Sequence, residues 1–184
     1  RSGRIEAVIE TTGDVEHGAR VAFDAITHGK HVVLMNAEVD STIGPILKVH
    51  ADRHGVVYTY TDGDEPGVAM NLYRFVDSIG YKPLLMGQIK GFLNRYRNPE
   101  TQREFAAKHQ QKAEMVASFA DGSKLAIEST IIGNATGFRP GIRGMHGHQC
   151  AHVKDLLKLF GDKDFKDGGL VDFVLGAEPH TGAF

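Results

Sequence analysis

Four groups of residues in this sequence are of types that do chemistry. Lys124 and Glu128 stand four apart in a segment that reads as helix, where Leu125, Ile127, Ile131 and Ile132 can face the core, so the two charged side chains share one helix face. A lysine beside a carboxylate on a partly buried face works as an acid/base or substrate-orienting pair, because low dielectric magnifies each group's effect on the other. On a solvated face the same pair is worth only about 0.3 to 0.5 kcal/mol. Lys90, Arg95 and Arg97, with Gly87, Gly91 and Tyr96 around them, form a second group. A planar guanidinium fork and a point-charge ammonium suit an anionic substrate such as a phosphate ester, and suit a solvated loop equally. Third is the alternation His146-x-His148-x-Cys150-x-His152. Nitrogen and sulfur ligands at alternate positions could chelate zinc, with all four on one strand face if the chain is extended, yet structural zinc sites use C-x₂₋₄-C-type spacing and the chain reads as helix from Ala151, so loop packing is the default. Last, Asp62, Asp64 and Glu65 match a hard cation such as magnesium or manganese, and match a turn and first helical turn as well.

These residues need elements to hold them. Residues 5–10 are rich in branched apolar side chains and run into Thr11-Thr12-Gly13-Asp14, a turn able to cap a helix. Val15 to His28 keeps helical apolar spacing and Gly29 closes it; a second strand over 31–36, a helix carrying Ile43, Ile46, Leu47 and His50 that Gly55 closes, and a third strand over 56–60 follow. Strand and helix alternating, with continuous apolar strands, predict parallel βαβ units covered on both faces. Beyond a soft boundary near residue 61, Pro66 falls in the first turn of a helix reaching Ser78, residues 82–89 read as a strand, and 92–112 is polar, charged and broken by Pro99. The Lys124 helix runs to Ala135 and ends near Gly137. A glycine-studded loop, a helix over 151–160 and a final strand from Leu170 to Leu175 complete the reading.

Composition narrows the function. Lys plus Arg is 21 and Asp plus Glu is 23, a net charge of −2, without the basic excess of a phosphate-tracking nucleic-acid binder. Hydrophobic residues at 41% and charged residues at 24% are those of an ordinary globular chain rather than a disordered one. One cysteine excludes an intrachain disulfide framework, and no apolar run approaches a membrane span. The chain reads as soluble, intracellular and cytoplasmic. It opens at Arg1 almost directly on a strand and closes on Gly182-Ala183-Phe184, so a piece of a longer polypeptide is expected.

A βαβ pattern invites a nucleotide. The glycines at 133, 137, 141, 144 and 147 do not fit G-x-G-x-x-G and follow a helix rather than a strand, while Gly29-Lys30 and Gly122-Ser123-Lys124 lack the Walker spacing. What remains is the carboxyl edge of the sheet, where α/β domains bind ligands: the turns Thr11-Thr12-Gly13 and Asn36-Ala37-Glu38. Ordinary strand-to-helix turns would read the same.

Residues 5–36, with the Val-Ile-Glu-Thr-Thr-Gly turn and Ala-Ile-Thr-His-Gly-Lys-His-Val-Val, resemble the later half of the nucleotide domain of homoserine dehydrogenases. Asn36-Ala37-Glu38-Val39-Asp40, Asp62-Gly63-Asp64-Glu65-Pro66-Gly67-Val68, Gly87-Gln88-Ile89-Lys90-Gly91, Tyr96-Arg97-Asn98-Pro99-Glu100-Thr101-Gln102 and Asn134-Ala135-Thr136-Gly137 resemble more closely a divergent branch, the deoxyxylulose-phosphate-reductoisomerase-like oxidoreductases. The likeness spans nearly all of the chain. It implies an α/β fold: the C-terminal part of a Rossmann-type parallel-sheet domain over residues 1–61, without its glycine-rich phosphate loop, then an α+β catalytic and dimerisation domain of homoserine dehydrogenase type, incomplete, over 62–184.

For the full-length enzyme the resemblance implies NADP(H), a divalent cation (magnesium or manganese), a small anionic phosphorylated substrate, a role in isoprenoid precursor synthesis and a homo-oligomer. It implies proton handling or orientation by Lys124, Glu128 and Lys90, substrate contacts from Arg97 and Asn134, and Thr12, Gly13, Asn36, Ala37 and Glu38 at the nicotinamide edge. True homoserine dehydrogenases differ at two places. They carry a lysine where this chain has Ala37, and an Asp-x-x-x-Lys where it has Lys124-x-x-x-Glu128, with the charges exchanged. A dehydrogenase of another small hydroxy acid or sugar derivative, and a dimerising core inactive by itself, are the competing expectations. All of these assignments require the 124–128 helix to face a cleft shared with the strand-end loops near position 37.

Overall fold

The structure is a computed structural model that describes residues 4–165 and 168–184, apart from the side chain of Thr181. Its contacts divide the chain into two compact units that meet at Gly67 and Val68.

In the first unit β1 (Ala7–Glu10), α1 (Val15–Thr27), β2 (His31–Leu34), α2 (Ala37–Arg53) and β3 (Tyr58–Tyr60) follow one another. The three strands lie in the order β1-β2-β3, and both pairs are parallel, with Val8 opposite Val32 and Val32 opposite Tyr58. The α1 helix starts where Asp14 turns extended and its carboxylate accepts the His17 N–H at 2.8 Å, the usual way to satisfy an orphan donor. The core gathers Ile26, Val32, Leu34, Val39, Leu47 and Ala51. One expectation needs correction: the strands are not covered on both faces. Strands taken in sequence order carry successive crossovers on one side of a sheet. Both helices therefore pack on the Val8, Val32 and Leu34 face, and Ile9, on the other, is 67% exposed.

The helix α3 (Glu65–Ser78) runs into the second unit, which continues with β4 (Leu85–Lys90), α4 (Pro99–Lys108), α5 (Ala113–Asp121), α6 (Ser123–Thr136), β5 (His148–Gln149), β6 (Leu170–Leu175) and β7 (Thr181–Ala183). Its sheet is mixed, in the order β5-β6-β4-β7. Strands β4 and β6 are parallel from Leu85 opposite Leu170 to Lys90 opposite Leu175, while β7 returns antiparallel to β4. Met86 and Val171 pack with Ile132 of α6. Ile89, Leu170 and Val174 pack on the other face with Cys150, Leu156 and Phe160.

Three sequence expectations are corrected here. The polar stretch 92–112 is not a broken loop: Pro99 opens α4 instead of interrupting it, behind an Asn98 cap in a reciprocal capping box with Thr101, because proline has no N–H to lose in a first turn. Residues 151–160 wind a 3₁₀ helix over Val153–Lys158 rather than an α-helix. The strand Leu170–Leu175 is not the last, since β7 follows it. Among the described residues, no helix is long and apolar enough to cross a membrane.

Candidate active site

The α6 helix is set by its first residue and by what lies under it. Gly122 separates α5 from α6 at φ +92°, and a Cβ there would stand 2.9 Å from Leu93 Cδ1. From that start Leu125, Ile131 and Ile132 are buried, and Glu128 is carried inward with them to complete burial. A carboxylate stripped of water needs charged partners. Lys90 Nζ donates to Glu128 Oε2 at 3.2 Å, and Lys124 Nζ lies 3.9 Å from Oε1. Each lysine side chain is 15% exposed, enough to meet a ligand and too little to be a solvated surface pair. Lys90 ends β4 on the face that also carries Met86 and Gln88, since side chains alternate along a strand. Tertiary folding thus joins Lys90 to a carboxylate 38 residues away. Ammonium groups that donate and a carboxylate that accepts can hold and pass a proton at a substrate hydroxyl or carbonyl.

Arg95 and Arg97 are spent differently. Arg97 Nη1 donates to Gln102 Oε1 at 3.4 Å and its guanidinium lies 5.7 Å from the Phe92 ring centre. Arg95 donates to the hydroxyl of Tyr96 at 2.7 Å. Asn134 sits ten residues beyond Lys124 on α6, about 15 Å along a helix axis, and lines a pocket with Arg139.

In the first unit the two strand-end turns are tied together. Asn36 caps α2 by accepting the Val39 N–H at 3.3 Å and donates across to the Asp14 carbonyl at 3.0 Å. Thr12 gives its backbone N–H to Glu10 Oε1 at 2.8 Å, and Gly13 turns at φ +69°. Ala37 is fully buried, and Glu38 lies in the first turn of α2, where negative charge complements the helix dipole. Asp64 accepts the Tyr60 hydroxyl at 2.8 Å, and Glu65 opens α3. Tyr58 donates to Asp40 at 2.6 Å; burial pushes both their proton affinities up, and the hydrogen bond from Tyr58 only partly restrains Asp40.

The zinc alternative for the histidine run is corrected. His146 Nδ1 meets Asp172 at 2.6 Å, His152 Nδ1 accepts the Lys154 N–H, and the Cys150 thiol donates to the His152 carbonyl. No three ligand atoms of the four residues lie within 4.8 Å of one another.

Three buried polar residues of the strands escaped the sequence reading. Glu10, 2% exposed, closes β1 under α1, where a Cβ on Gly18 would come within 2.8 Å of its Oε2. Gln88 is fully buried in β4 beside Lys90, its amide without a hydrogen-bond partner among the described residues. Asp172, fully buried in β6, accepts the N–H groups of His146 and Gly147 at 3.0 Å as well as the imidazole. Each is a polar residue inside an apolar strand, and that is the one signal that could have exposed them.

The family described as "Oxidoreductase DRL, catalytic domain" matches residues 63–184. No curated protein matches the chain.

Proposed function

The chain belongs to the oxidoreductase DRL family, whose catalytic domain it carries over residues 63–184, and from that premise we propose that the full-length enzyme is an NADP(H)-dependent oxidoreductase of a small phosphorylated substrate. The proposed substrate is 1-deoxy-D-xylulose 5-phosphate, isomerised and reduced toward isoprenoid precursors, with magnesium or manganese as helper. The reading rests on one observation above the others: Glu128 buried between Lys90 and Lys124 inside the matched region.

In this reading Lys124 and Lys90 orient and protonate substrate oxygens, and Glu128 keeps both ammonium groups aimed and takes up a proton in turn. Arg97 and Asn134 belong to the proposal as substrate contacts. Residues 1–61 are proposed as the later half of the nucleotide domain. The uncovered Ile9 face and the edge position of β1 support this, because parallel sheets are ordinarily covered on both faces. The turn at Gly13 and the buried Asn36 fit a nicotinamide edge: the backbone is open at Gly13, where a Cβ would meet nothing within 4 Å, and Asn36 holds both turns in place. NADPH, when bound, supplies the hydride. The acidic residues Asp64 and Glu65, at the start of the matched segment, are the groups proposed for the cation.

The test is NADPH oxidation by the full-length enzyme with 1-deoxy-D-xylulose 5-phosphate, beside a panel of hydroxy acids and sugar phosphates. Lys124→Ala should lower kcat by about 10²- to 10⁴-fold. Unchanged turnover removes Lys124 from the mechanism. Preference for another substrate moves the reading to a homoserine dehydrogenase-like enzyme, and absence of NADPH binding leaves a dimerising core.

A further inference from the structure

The flank of α6 turned away from Lys124 and Glu128 holds a second feature. Between the later turns of this helix and the segment 138–140 lies a pocket of about 490 Å³, within the size range of small-molecule sites. At 100° per residue the positions facing it lie roughly opposite Lys124 and Glu128 on the helix wheel, so the pocket lies away from the Lys90, Lys124 and Glu128 cluster, and Asn134 is the residue it shares with the substrate contacts proposed above. Phe138, Met145 and Val171 are among its apolar lining residues, and Ser129, Asn134 and Arg139 among its polar ones. The Ser129 hydroxyl is buried and has no hydrogen-bond partner among the described residues. An unmet hydroxyl is costly in a folded interior, and here it sits in a residue that lines an open pocket.

The walls are built to stay in place. Arg139 is clamped by its backbone to β6, donating to the Gly169 carbonyl and accepting the Val171 N–H, both at 3.1 Å. Across the pocket Met145 holds φ +68°, a strained conformation for a residue with a side chain. The buried Asp172 carboxylate accepts the next two N–H groups, those of His146 and Gly147, and so holds the turn. Gly133 lets the Phe138 carbonyl approach α6, where a Cβ would meet it at 3.1 Å.

We propose that this pocket binds a small organic anion, a phosphate or carboxylate head on a short alkyl body, with the head at Arg139 and Asn134 and the body against Phe138, Met145 and Val171. The guanidinium selects the charge, and the apolar wall selects an organic anion over a bare one.

The test is calorimetric titration of the chain with butyl phosphate, pentanoate, inorganic phosphate and 1-butanol. Butyl phosphate or pentanoate should bind at one saturable site, at least about tenfold tighter than inorganic phosphate or 1-butanol. Which of the two binds more tightly identifies the head group. Arg139→Gln should weaken that binding about tenfold, and Ser129→Ala should weaken it less, each in a variant whose circular dichroism matches the parent. Lys124→Ala should leave the affinity unchanged, so failure here is distinguishable from failure of the proposed active site. Absence of saturable binding by both organic anions overturns the proposal. So does indifference to Arg139→Gln, equal affinity for inorganic phosphate or 1-butanol, or loss on Lys124→Ala.

Discussion

At Asp40 a half-buried carboxyl group meets a tyrosine hydroxyl, and the consequence is a pH dependence of known sign. Its proton affinity is raised in the folded chain, first by burial and against the pull of the Tyr58 hydrogen bond. Between the unfolded and the folded value the native state binds more protons than the unfolded one, so stability falls as pH rises through that window and is fully present only below the unfolded value of 3.8. Asp40→Asn keeps an acceptor for Tyr58 and removes the titration. Urea denaturation from about pH 4 to pH 7 should show the variant gaining on the parent with rising pH; parallel curves would refute it. At the same scale Lys124 and Glu128 were legible because helical spacing puts residues four apart on one face. The junction of Lys90 with Glu128 was not, because 38 residues separate them and only the packing of β4 under α6 closes that gap. Glu10, Gln88 and Asp172 look like strand members in the sequence, and burial alone reveals that each is a polar group enclosed by the core.

The elements were readable where apolar residues recur at helical spacing, as in α1, or run almost unbroken, as in β6. They were missed where the period is faint. The α4 helix spans Pro-Glu-Thr-Gln-Arg-Glu-Phe-Ala-Ala-Lys, mostly polar, and its start signals, the Asn98 cap and Pro99, carried more information than its hydrophobicity. The two-residue β5 and three-residue β7 are too short to show alternation, and they exist because neighbouring strands offer unpaired backbone. One joint controls the α5–α6 pair. Gly122 adopts φ +92° and leaves 2.9 Å between a Cβ and Leu93, so Gly122→Ala meets both backbone strain and a steric clash. Denaturant titration should show a loss of about 1 to 3 kcal/mol. A neutral effect would mean that α6 can start at another angle without cost.

For the whole molecule, charge and association are the quantities to test. With a net charge of −2 and no basic excess, the chain should show no salt-dependent retention of duplex DNA at physiological ionic strength; a shifted band that disappears with added salt would reverse that expectation. Sedimentation velocity tests the proposed homo-oligomer, which predicts a species of at least twice the monomer mass; a monomer at all concentrations would end that part of the reading. Sequence by itself determined the alternation of strands and helices through residue 60, the face shared by Lys124 and Glu128, and the membership of an oxidoreductase family. These follow from local geometry, periods of two and 3.6 residues and turn chemistry, which neighbouring residues settle among themselves. Tertiary structure alone decided that both helices of the first unit cover one sheet face, that β4 and β6 pair in parallel, that Lys90 reaches Glu128, and that Ser129, Asn134 and Arg139 share a pocket. Those depend on which distant segments exclude water from one another, and hydrophobic burial is non-directional, so no local pattern encodes the partner.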